Sequence, residues 1–394
     1  MDEILLLVHR IPYPPNKGDK IRSFHILQRL ARRYRVHLGS FVDDPADWCH
    51  AGALKPYVDQ LQLRPLRPRW AKLCGLTGLL TGDPLTVPYY RDRQMQAWVD
   101  RIVAERSLKG ALVFSSGMAQ YLASHPTVPA VVDFVDVDSA KWHSYGAARH
   151  GPAGWIYRRE GRMLEAYEIA VARRAQTALF VTPDETALFS RIAQGVPIDL
   201  RTLENGVDRD YFSLDGEYPN PYPEGIEPLV FTGAMDYWPN VDAVVWFARE
   251  VFQPLFVRRP QARFYVVGSR PARAVQALAG QPGVAVTGTV ADIRPYLAHC
   301  RAAVAPLRIA RGVQNKVLEA MAMAKPVIAS PQAMEGIGGD GGLEVAVAEA
   351  AGRWIEILEK LENLPTVAHR NRGMIEERYD WEVNLAMLDH LWDG

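Results

Sequence analysis

The sequence has few cysteines, no net charge and no long apolar segment. Its cysteines, Cys49, Cys74 and Cys300, are odd in number and far apart, so neither a disulfide framework nor a zinc site is expected. The formal net charge is +0, whereas nucleic-acid-binding proteins usually carry an excess of basic residues. No apolar run approaches the roughly 18 residues of a membrane span, and the acidic start MDEILLLVHR is unlike a signal peptide. We therefore expect a cytoplasmic protein without a nucleic-acid partner, whose contact with a membrane would be peripheral.

What is present is a repeated alternation of short apolar runs with longer helix-period segments. With 394 residues, 48% of them apolar, the chain is long enough for two cores. The strand-like runs lie at 4–8, 36–41, 111–116, 130–135 and 177–182, and again at 228–233, 263–269, 284–288, 302–307 and 326–330. Near-continuous apolar strands indicate parallel sheets covered by helices on both faces. The sequence therefore predicts two doubly wound, Rossmann-like α/β domains.

A segment rich in proline divides the two patterns. Residues 209–228, RDYFSLDGEYPNPYPEGIEP, contain four prolines and no apolar periodicity, which is typical of a linker. We accordingly predict an N-terminal domain over 1–208, a C-terminal domain over 229–372 and a C-terminal helix over 373–394. In open parallel sheets, ligands bind outside the carboxyl ends of the strands. Strands that end at Gly233, Gly268 and Gly288 therefore suggest close approach to a ligand, although ordinary turns explain single glycines equally well.

Several segments of the second half resemble a known family. ENGVDRDYF, VFTGAMDYWPNVDAVVWF, FYVVGS, VTGTVADIRPYLAHCRAAVAPL and GVQNKVLEAMAMAKPVIAS are similar, in that order, to the nucleotide-sugar half of retaining GT-B glycosyltransferases of family four. In the first half, HRIPYPPNKGDKIRSFHILQRLA and DFVDVDSAKW resemble bacterial sugar transferases found with PEP-CTERM-type exopolysaccharide systems. The resemblance implies two facing GT-B domains and a UDP- or GDP-sugar as co-substrate, with no cofactor or metal.

The resemblance also assigns roles to the second half. It implies that Glu319 binds the ribose hydroxyls and that the helix carrying it presents its N-terminus to the diphosphate. Physical chemistry agrees, because a helix N-terminus attracts anions and Lys316 lies one turn before Glu319. An exposed helix acid, or a simple partner of Lys316, is the ordinary alternative. We add Thr289 and Val290, which follow the third strand-end glycine, to the donor-binding residues.

One departure from the family pattern concerns positive charge. A second glutamate usually lies eight residues before the first, but Arg311 occupies that position here. The Arg and Lys that usually follow the first strand of this domain are absent from TGAMDYWPN. Arg311 and Lys316 are therefore candidates to bind and stabilise the diphosphate, with Arg308 in reserve. A solvated loop arginine is the alternative for Arg311.

The first half offers weaker candidates. Gly18 and Asp19 lie between the first strand and a helix, where the resemblance implies a loop beside donor phosphate and acceptor. Asp136 and Asp138 follow a predicted strand, where many family members carry a histidine that faces the donor sugar. We assign Gly18 to the donor, Asp19 and Asp136 to the acceptor, and Asp138 to a contact with sugar or acceptor. A helix cap at Asp138 and a metal site at the D-x-D pattern are alternatives.

Together with the resemblance, these residues predict transfer of a sugar from a nucleotide diphosphate to an acceptor hydroxyl, and the resemblance implies retention. The acceptor is expected to be lipid-linked or a growing glycan in exopolysaccharide biosynthesis. Two other classes remain open: a nucleotide-sugar 2-epimerase on the same fold, and a non-catalytic glycan- or nucleotide-binding protein. Residues 61–80, LQLRPLRPRWAKLCGLTGLL, combine four cations with Trp70 and several leucines, which suits an anionic membrane surface as well as an ordinary packed helix.

Overall fold

The computed structural model describes residues 1–148, 151–310, 312–337, 345–361 and 364–393. The chain forms two compact units. Unit 1 comprises Met1–Glu204 and Glu382–Gly394, and unit 2 comprises Asn205–Trp381. The division therefore follows Glu204 rather than residue 208, and residues 209–228 belong to unit 2.

Unit 1 is built on a parallel sheet. Its described strands are β1 Glu3–Val8, β2 Arg35–Val42, β3 Gln60–Pro65, β4 Leu108–Phe114, β5 Ala130–Val135, β6 Thr177–Phe180 and β7 Leu200–Thr202. Their order is β3-β2-β1-β4-β5-β6-β7. The central strands are buried along almost their whole length, because helices cover both faces.

The helices of unit 1 follow its strands in a doubly wound arrangement. They are α1 Gly18–Ala31, α2 Pro68–Gly75, α3 Gly78–Thr81, α4 Thr86–Tyr89, α5 Arg93–Glu105, α6 Asp138–Ala148, α7 Gly151–Arg174 and α8 Pro183–Ile192. Short 3-10 segments span Pro45–Tyr57 and Ser116–Leu122. Ring contacts among Phe134, Phe180 and Phe189 join β5 and β6 to α8 in the core.

Unit 2 repeats the arrangement with a second parallel sheet. Its described strands are β8 Glu227–Thr232, β9 Ala262–Val267, β10 Val284–Gly288, β11 Ala302–Ala305, β12 Val327–Ala329 and β13 Ala346–Val347, in the order β10-β9-β8-β11-β12-β13. Together the two sheets confirm the predicted pair of Rossmann-like domains.

The helices of unit 2 cover this sheet. They are α9 Trp238–Trp246, which continues as a π-helical turn over Phe247–Phe252, then α10 Gln253–Arg258, α11 Arg273–Gln276, α12 Arg294–His299, α13 Asn315–Ala322, α14 Pro331–Met334, α15 Ala351–Glu359 and α16 Leu364–Arg378. The short helix α17 Trp381–Asn384 begins at the last residue of unit 2 and continues into unit 1. Ala277–Gly280 is a 3-10 turn. The ring of Trp354 on α15 lies edge-on to Phe247 at the centre of the core.

Both sheets reverse their strand order at one point. In unit 1 the order changes direction between β1 and β4, and in unit 2 between β8 and β11. At such a point the connections leave toward opposite faces, which opens a crevice beyond the carboxyl ends of the two strands. The fold therefore provides two strand-end regions where a ligand could bind, one in each unit.

The predicted C-terminal helix over 373–394 is several shorter elements. Its first part belongs to α16, which packs against α13 within unit 2. Residues 382–394 belong to unit 1, where Leu385–His390 form a 3-10 turn. Arg29 of α1 pairs there with Asp389, and Trp392 lies so close to Gly110 that a Cβ on that glycine would be 2.2 Å from the indole nitrogen.

In the part of the chain that the structure describes, no helix is both long and apolar enough to cross a bilayer.

Candidate functional site

Two strand-end glycines in unit 2 lie in direct backbone contact. A Cβ on Gly268 would be 1.7 Å from the carbonyl oxygen of Gly233, so no other residue fits there without backbone movement. The amide of Gly233 donates to Val267 O (3.1 Å), and that of Gly268 donates to Gly288 O (3.2 Å). The predicted donor residues Gly233, Gly268 and Gly288 are thereby joined along the carboxyl edge of β8, β9 and β10.

Lys316 lies above this edge, in the first turn of α13. Its Nζ donates to the side-chain oxygen of Asn240 (2.8 Å) and lies 4.7 Å from the ring centroid of Phe231. Asn240 is buried and donates from its own amide to Ala234 O (2.9 Å), which fixes the orientation of the side chain. A Cβ on Gly233 would lie 3.6 Å from the Cε of Lys316. The switch point of unit 2 therefore brings Gly233, Asn240 and Lys316 together.

Burial shifts the pKa values of Lys316 and Glu319 in opposite directions. Desolvation lowers the pKa of Lys316 to about 8, and the nearby charge of Glu319 opposes this shift. Desolvation likewise raises the pKa of Glu319 to about 7, opposed by the charge of Lys316. Each group is thus poised near neutral pH, as is common where charged ligands bind.

The start of α13 is held by the segment that precedes unit 2's first strand. Asn205, in the ENG sequence, donates to the side-chain oxygen of Asn315 at the first position of α13 (3.4 Å). A Cβ on Gly206 would lie 2.7 Å from the Trp381 ring, so this glycine allows close packing. The side chain of Gln314 does not cap the helix. The backbone amides of the first turn therefore contribute the partial positive charge of a helix N-terminus.

A second cluster of unit 2 lies near Glu319, beyond β10. The Arg294 guanidinium is 3.9 Å from the Tyr211 ring centroid, and Tyr211 donates its hydroxyl hydrogen to Asp292 (3.3 Å). Burial raises the pKa of Tyr211, and the charges of Asp292 and Glu319 contribute to the shift. Of the predicted residues just before this cluster, Thr289 is exposed and Val290 packs against the core.

Arg311 and Arg308 are the other basic candidates of unit 2. Arg311 lies outside the described residues. Arg308, the reserve candidate, pairs with Asp242 of α9, with its Nε 2.9 Å from a carboxylate oxygen. Because that carboxylate already neutralises Arg308, Lys316 is the predicted cation whose described contacts are an amide oxygen and an aromatic ring.

In unit 1, charged residues at the carboxyl edge of β1 pair with one another. His9 lies directly after β1, with its Nε2 3.3 Å from Asp19, and Arg10 bridges Asp19 and Asp43. Although burial opposes the shift, the hydrogen bond from His9 and the charge of Arg10 hold the pKa of Asp19 well below its usual range. Gly18 opens α1, and its φ lies outside the left-handed region.

Lys141 neutralises the two carboxylates of the D-x-D sequence. Its Nζ lies 2.7 Å from Asp136 and 3.0 Å from Asp138, the first residue of α6. Burial opposes it, but the two carboxylates raise the pKa of Lys141 well above its usual value. Within the described ranges, no group of three or more His, Cys, Asp or Glu residues is placed to hold a metal ion.

Backbone strain marks the same edge of unit 1. Ser115, directly after β4, and Val135, the last residue of the neighbouring strand β5, have φ values of 77° and 68°. This conformation is unfavourable for a β-branched residue such as Val135. Next to them, Glu168 accepts hydrogen bonds from the backbone and hydroxyl of Ser139, and burial raises its pKa to about 8. Strain of this kind often accompanies functional sites.

Sequence reasoning missed several of these residues. Asn240 contacts Lys316, and Tyr211 contacts Asp292, across long stretches of sequence. Lys141 contacts the nearby Asp136 and Asp138. His9 could have been predicted from the sequence, because it directly follows an apolar strand. Such positions lie at the sheet edge where ligands bind.

Comparison with known protein families gives a match that lies within unit 2. Residues 227–363 match the family model described as glycosyl transferases group 1. No curated protein matches the sequence as a whole.

Similar solved structures span both units. Sucrose-phosphate synthase from Thermosynechococcus elongatus has a TM-score of 0.70 at 17% identity, covering 100% of this chain and 98% of that one. WaaG, a glycosyltransferase involved in lipopolysaccharide biosynthesis, has a TM-score of 0.69 at 18% identity, covering 99% and 100%. Anabaena Alr3699/HepE, solved in complex with UDP and glucose, has a TM-score of 0.65 at 14% identity, covering 100% of both chains. The chain therefore has the GT-B fold, and residues 227–363 of its second unit are similar to the glycosyl transferases group 1 family.

Proposed function

We propose that this protein is a glycosyltransferase that moves a sugar from a nucleotide diphosphate to an acceptor hydroxyl. The observation that carries the proposal is the position of Lys316 in the first turn of α13, with its Cε 3.6 Å from a Cβ built on Gly233 at the switch point of unit 2. Glu319 lies one turn further along the same helix. The group 1 domain over 227–363 and the UDP and glucose bound by a structural neighbour support the proposal.

The donor is proposed to bind by its diphosphate and ribose. The ammonium of Lys316 and the amides that open α13 carry positive charge toward the strand-end glycines, which suits a diphosphate. Glu319, one turn further along the same face, can accept hydrogen bonds from two ribose hydroxyls. Thr289 and Val290 follow Gly288 at the same edge, and Arg311 remains a proposed contact of the diphosphate.

The reaction breaks the bond between the anomeric carbon and the diphosphate oxygen, and the acceptor oxygen forms the new bond while its hydroxyl loses a proton. Negative charge therefore grows on the departing diphosphate, and preorganised positive groups stabilise that charge. We assign this role to Lys316, to the start of α13 and to Arg311, and we propose that the reaction proceeds with retention.

We place the acceptor at unit 1. Asp19 and Asp136 are proposed acceptor contacts, Asp138 a contact with the sugar or acceptor, and Gly18 a residue near the donor phosphate. The resemblance of the first half to sugar transferases of exopolysaccharide systems supports a lipid-linked or polysaccharide acceptor, met at the cytoplasmic face of a membrane. The pairing of Asp136 and Asp138 with Lys141 favours a reaction without metal, so activity is expected to persist in EDTA.

A panel of UDP- and GDP-sugars, each incubated with lipid-linked and oligosaccharide acceptors, tests the proposal by mass spectrometry of the products. We expect an acceptor enlarged by one sugar together with free nucleoside diphosphate, in wild type and in the exposed control Lys360→Ala. Both products should form about 10²-fold more slowly in Lys316→Ala. Donor converted to another nucleotide sugar without acceptor would instead establish the epimerase. Donor binding without any conversion in the whole panel would establish a binding protein.

A further inference from the structure

The connection between β3 and α5 exposes large apolar side chains and buries small ones. In α2 and α3, the buried positions are Ala71, Gly75 and Gly78. Trp70, Leu73, Leu76 and Leu80 are instead 64%, 58%, 47% and 90% exposed. An amphipathic helix on a domain surface normally turns its large apolar residues inward. Here four of the fifteen exposed large apolar residues in the described chain lie within eleven consecutive positions, which marks an interaction surface.

Close backbone packing explains why the small residues face inward. A Cβ on Gly78 would lie 2.8 Å from Asp83 O, and one on Gly75 would lie 3.2 Å from Leu85 O. Larger side chains could not occupy these positions without moving the backbone. The inward face is therefore fixed by its contacts, and the large apolar residues have only the outward face left.

Two side chains of α7 hold the connection in place. Arg159 donates to Gly78 O (2.6 Å), and the buried carboxylate of Glu160 accepts from the amide of Leu85 (2.9 Å). Trp155, four residues before Arg159 and therefore on the same side of α7, is also mostly exposed. The apolar side chains are thus presented by a segment attached at both ends, not by a loose loop.

The charge of this surface identifies its partner. Arg67, Arg69 and Lys72 are exposed, and residues 60–82 contain no acid. Arg64, which the sequence grouped with them, is bound to Asp92 (3.0 Å) and belongs to an edge strand. A second copy of the chain facing this surface across a two-fold axis would place like charges opposite one another. Cations beside tryptophan and leucine suit instead the boundary between anionic headgroups and acyl chains.

We propose that residues 67–81 are a docking surface for an anionic phospholipid bilayer, with Arg67, Arg69 and Lys72 at the headgroups and the exposed tryptophan and leucines in the acyl boundary. The inference deepens the proposed function, and rests on it only in naming where a lipid-linked acceptor would be met. Membrane binding itself is measured without donor or acceptor, so its failure is distinct from failure of the proposed reaction.

The first test is co-sedimentation with vesicles of phosphatidylglycerol and phosphatidylcholine (1:1) or of phosphatidylcholine alone. We expect wild type to bind the anionic vesicles, with binding that weakens as salt is added. In the triple variant Arg67→Gln, Arg69→Gln, Lys72→Gln, the partition coefficient for anionic vesicles is expected to fall about fivefold for each removed charge. The double variant Leu73→Ser, Leu80→Ser is expected to lose binding even at low salt.

Matched controls change equally exposed residues of unit 2. Val257→Ser removes an apolar side chain, and the pair Arg249→Gln, Arg273→Gln removes two cations; all three positions are exposed. These controls should bind vesicles as wild type does. Equal vesicle binding by wild type and by both segment variants overturns the proposal, as does wild type that ignores anionic vesicles. A wild-type dimer that the leucine variant converts to monomer overturns it in favour of a second copy.

A second measurement needs no destabilising change. Brominated acyl chains quench tryptophan fluorescence only where an indole enters the bilayer. Wild type should be quenched on anionic vesicles, and Trp70→Phe should lose a distinct share of that quenching while its thermal midpoint stays unchanged. Quenching of equal size in wild type and Trp70→Phe would show that this surface does not enter the membrane.

Discussion

Two lysines at corresponding sheet edges have opposite surroundings. Lys141, in unit 1, lies between two carboxylates, and its pKa rises well above the usual value. Lys316, in unit 2, meets an amide oxygen and an aromatic ring, and desolvation lowers its pKa to about 8. The first charge is balanced within the protein, whereas the second would gain most from an added anion. The comparison supports the proposal that the edge of unit 2 binds the diphosphate.

The largest effect is expected from breaking the internal charge balance of unit 1. Arg22 and Asp133 form a fully buried ion pair, with Nε and Oδ2 2.8 Å apart. Arg22→Met leaves a buried carboxylate without its cation and should lower the free energy of unfolding by about 3–5 kcal/mol. Urea unfolding measures this loss. The double variant Arg22→Met, Asp133→Leu should recover much of it, and a double variant as unstable as the single would show that the loss comes from packing.

Removing the charge of Lys316 should impair catalysis more than folding. Lys316→Ala is expected to lower kcat and kcat/KM together by about 10²-fold, because its contact with the leaving group strengthens in the transition state. Release of nucleoside diphosphate at varied donor concentration gives both constants, with Lys360→Ala as the control. A rise in KM at constant kcat would mean that Lys316 only binds the donor.

Glu319→Gln should have a smaller effect of another kind. If the carboxylate binds ribose hydroxyls, its contacts are similar in ground and transition states, so KM should rise by about tenfold while kcat changes little. Glu250→Gln, an exposed change in the same unit, serves as the control. An equal fall in kcat and kcat/KM would place Glu319 at the reacting sugar instead.

The smallest expected effect is a pH dependence of UDP binding, which distinguishes Lys316 from the fully paired Lys141. A bound diphosphate favours charged Lys316 and raises its pKa from about 8, so binding of UDP at pH 8.5 should take up protons. The affinity should accordingly fall as pH rises above 8, where the phosphates of UDP are already ionised. Calorimetry in two buffers of different ionisation enthalpy counts the protons. Lys316→Arg keeps its charge and should show neither effect, and proton release by wild type would contradict the assignment.

Strands that are buried on both faces could be predicted from the sequence, whereas most strands at the sheet edges could not. Strands covered on both faces, such as β1 and β8, read as continuous apolar runs and were found. The edge strand β3, QLQLRP, alternates polar and apolar residues and was merged with the cationic segment that follows it. The edge strands β7 and β13 are three and two residues long, too short to show any period.

The candidate site was predictable where its residues are close in sequence. Lys316 and Glu319 share a helical turn, so their spacing alone indicated a common face. Asn240 lies 76 positions from Lys316, and Asp242 lies 66 from Arg308, so neither contact could be read from local pattern. The roles of all these residues in binding and catalysis stay predictions.

The packing of residues 382–394 on unit 1 has a consequence for how the protein is made. Most of unit 1 is translated before unit 2, yet its surface around Gly110 and Arg29 is completed by Trp392 and Asp389. Domains commonly fold as units while synthesis proceeds. In this protein, unit 2 separates residues 1–204 from the segment that completes their surface, so unit 1 stays incomplete until residues 382–393 have been synthesised and released from the ribosome.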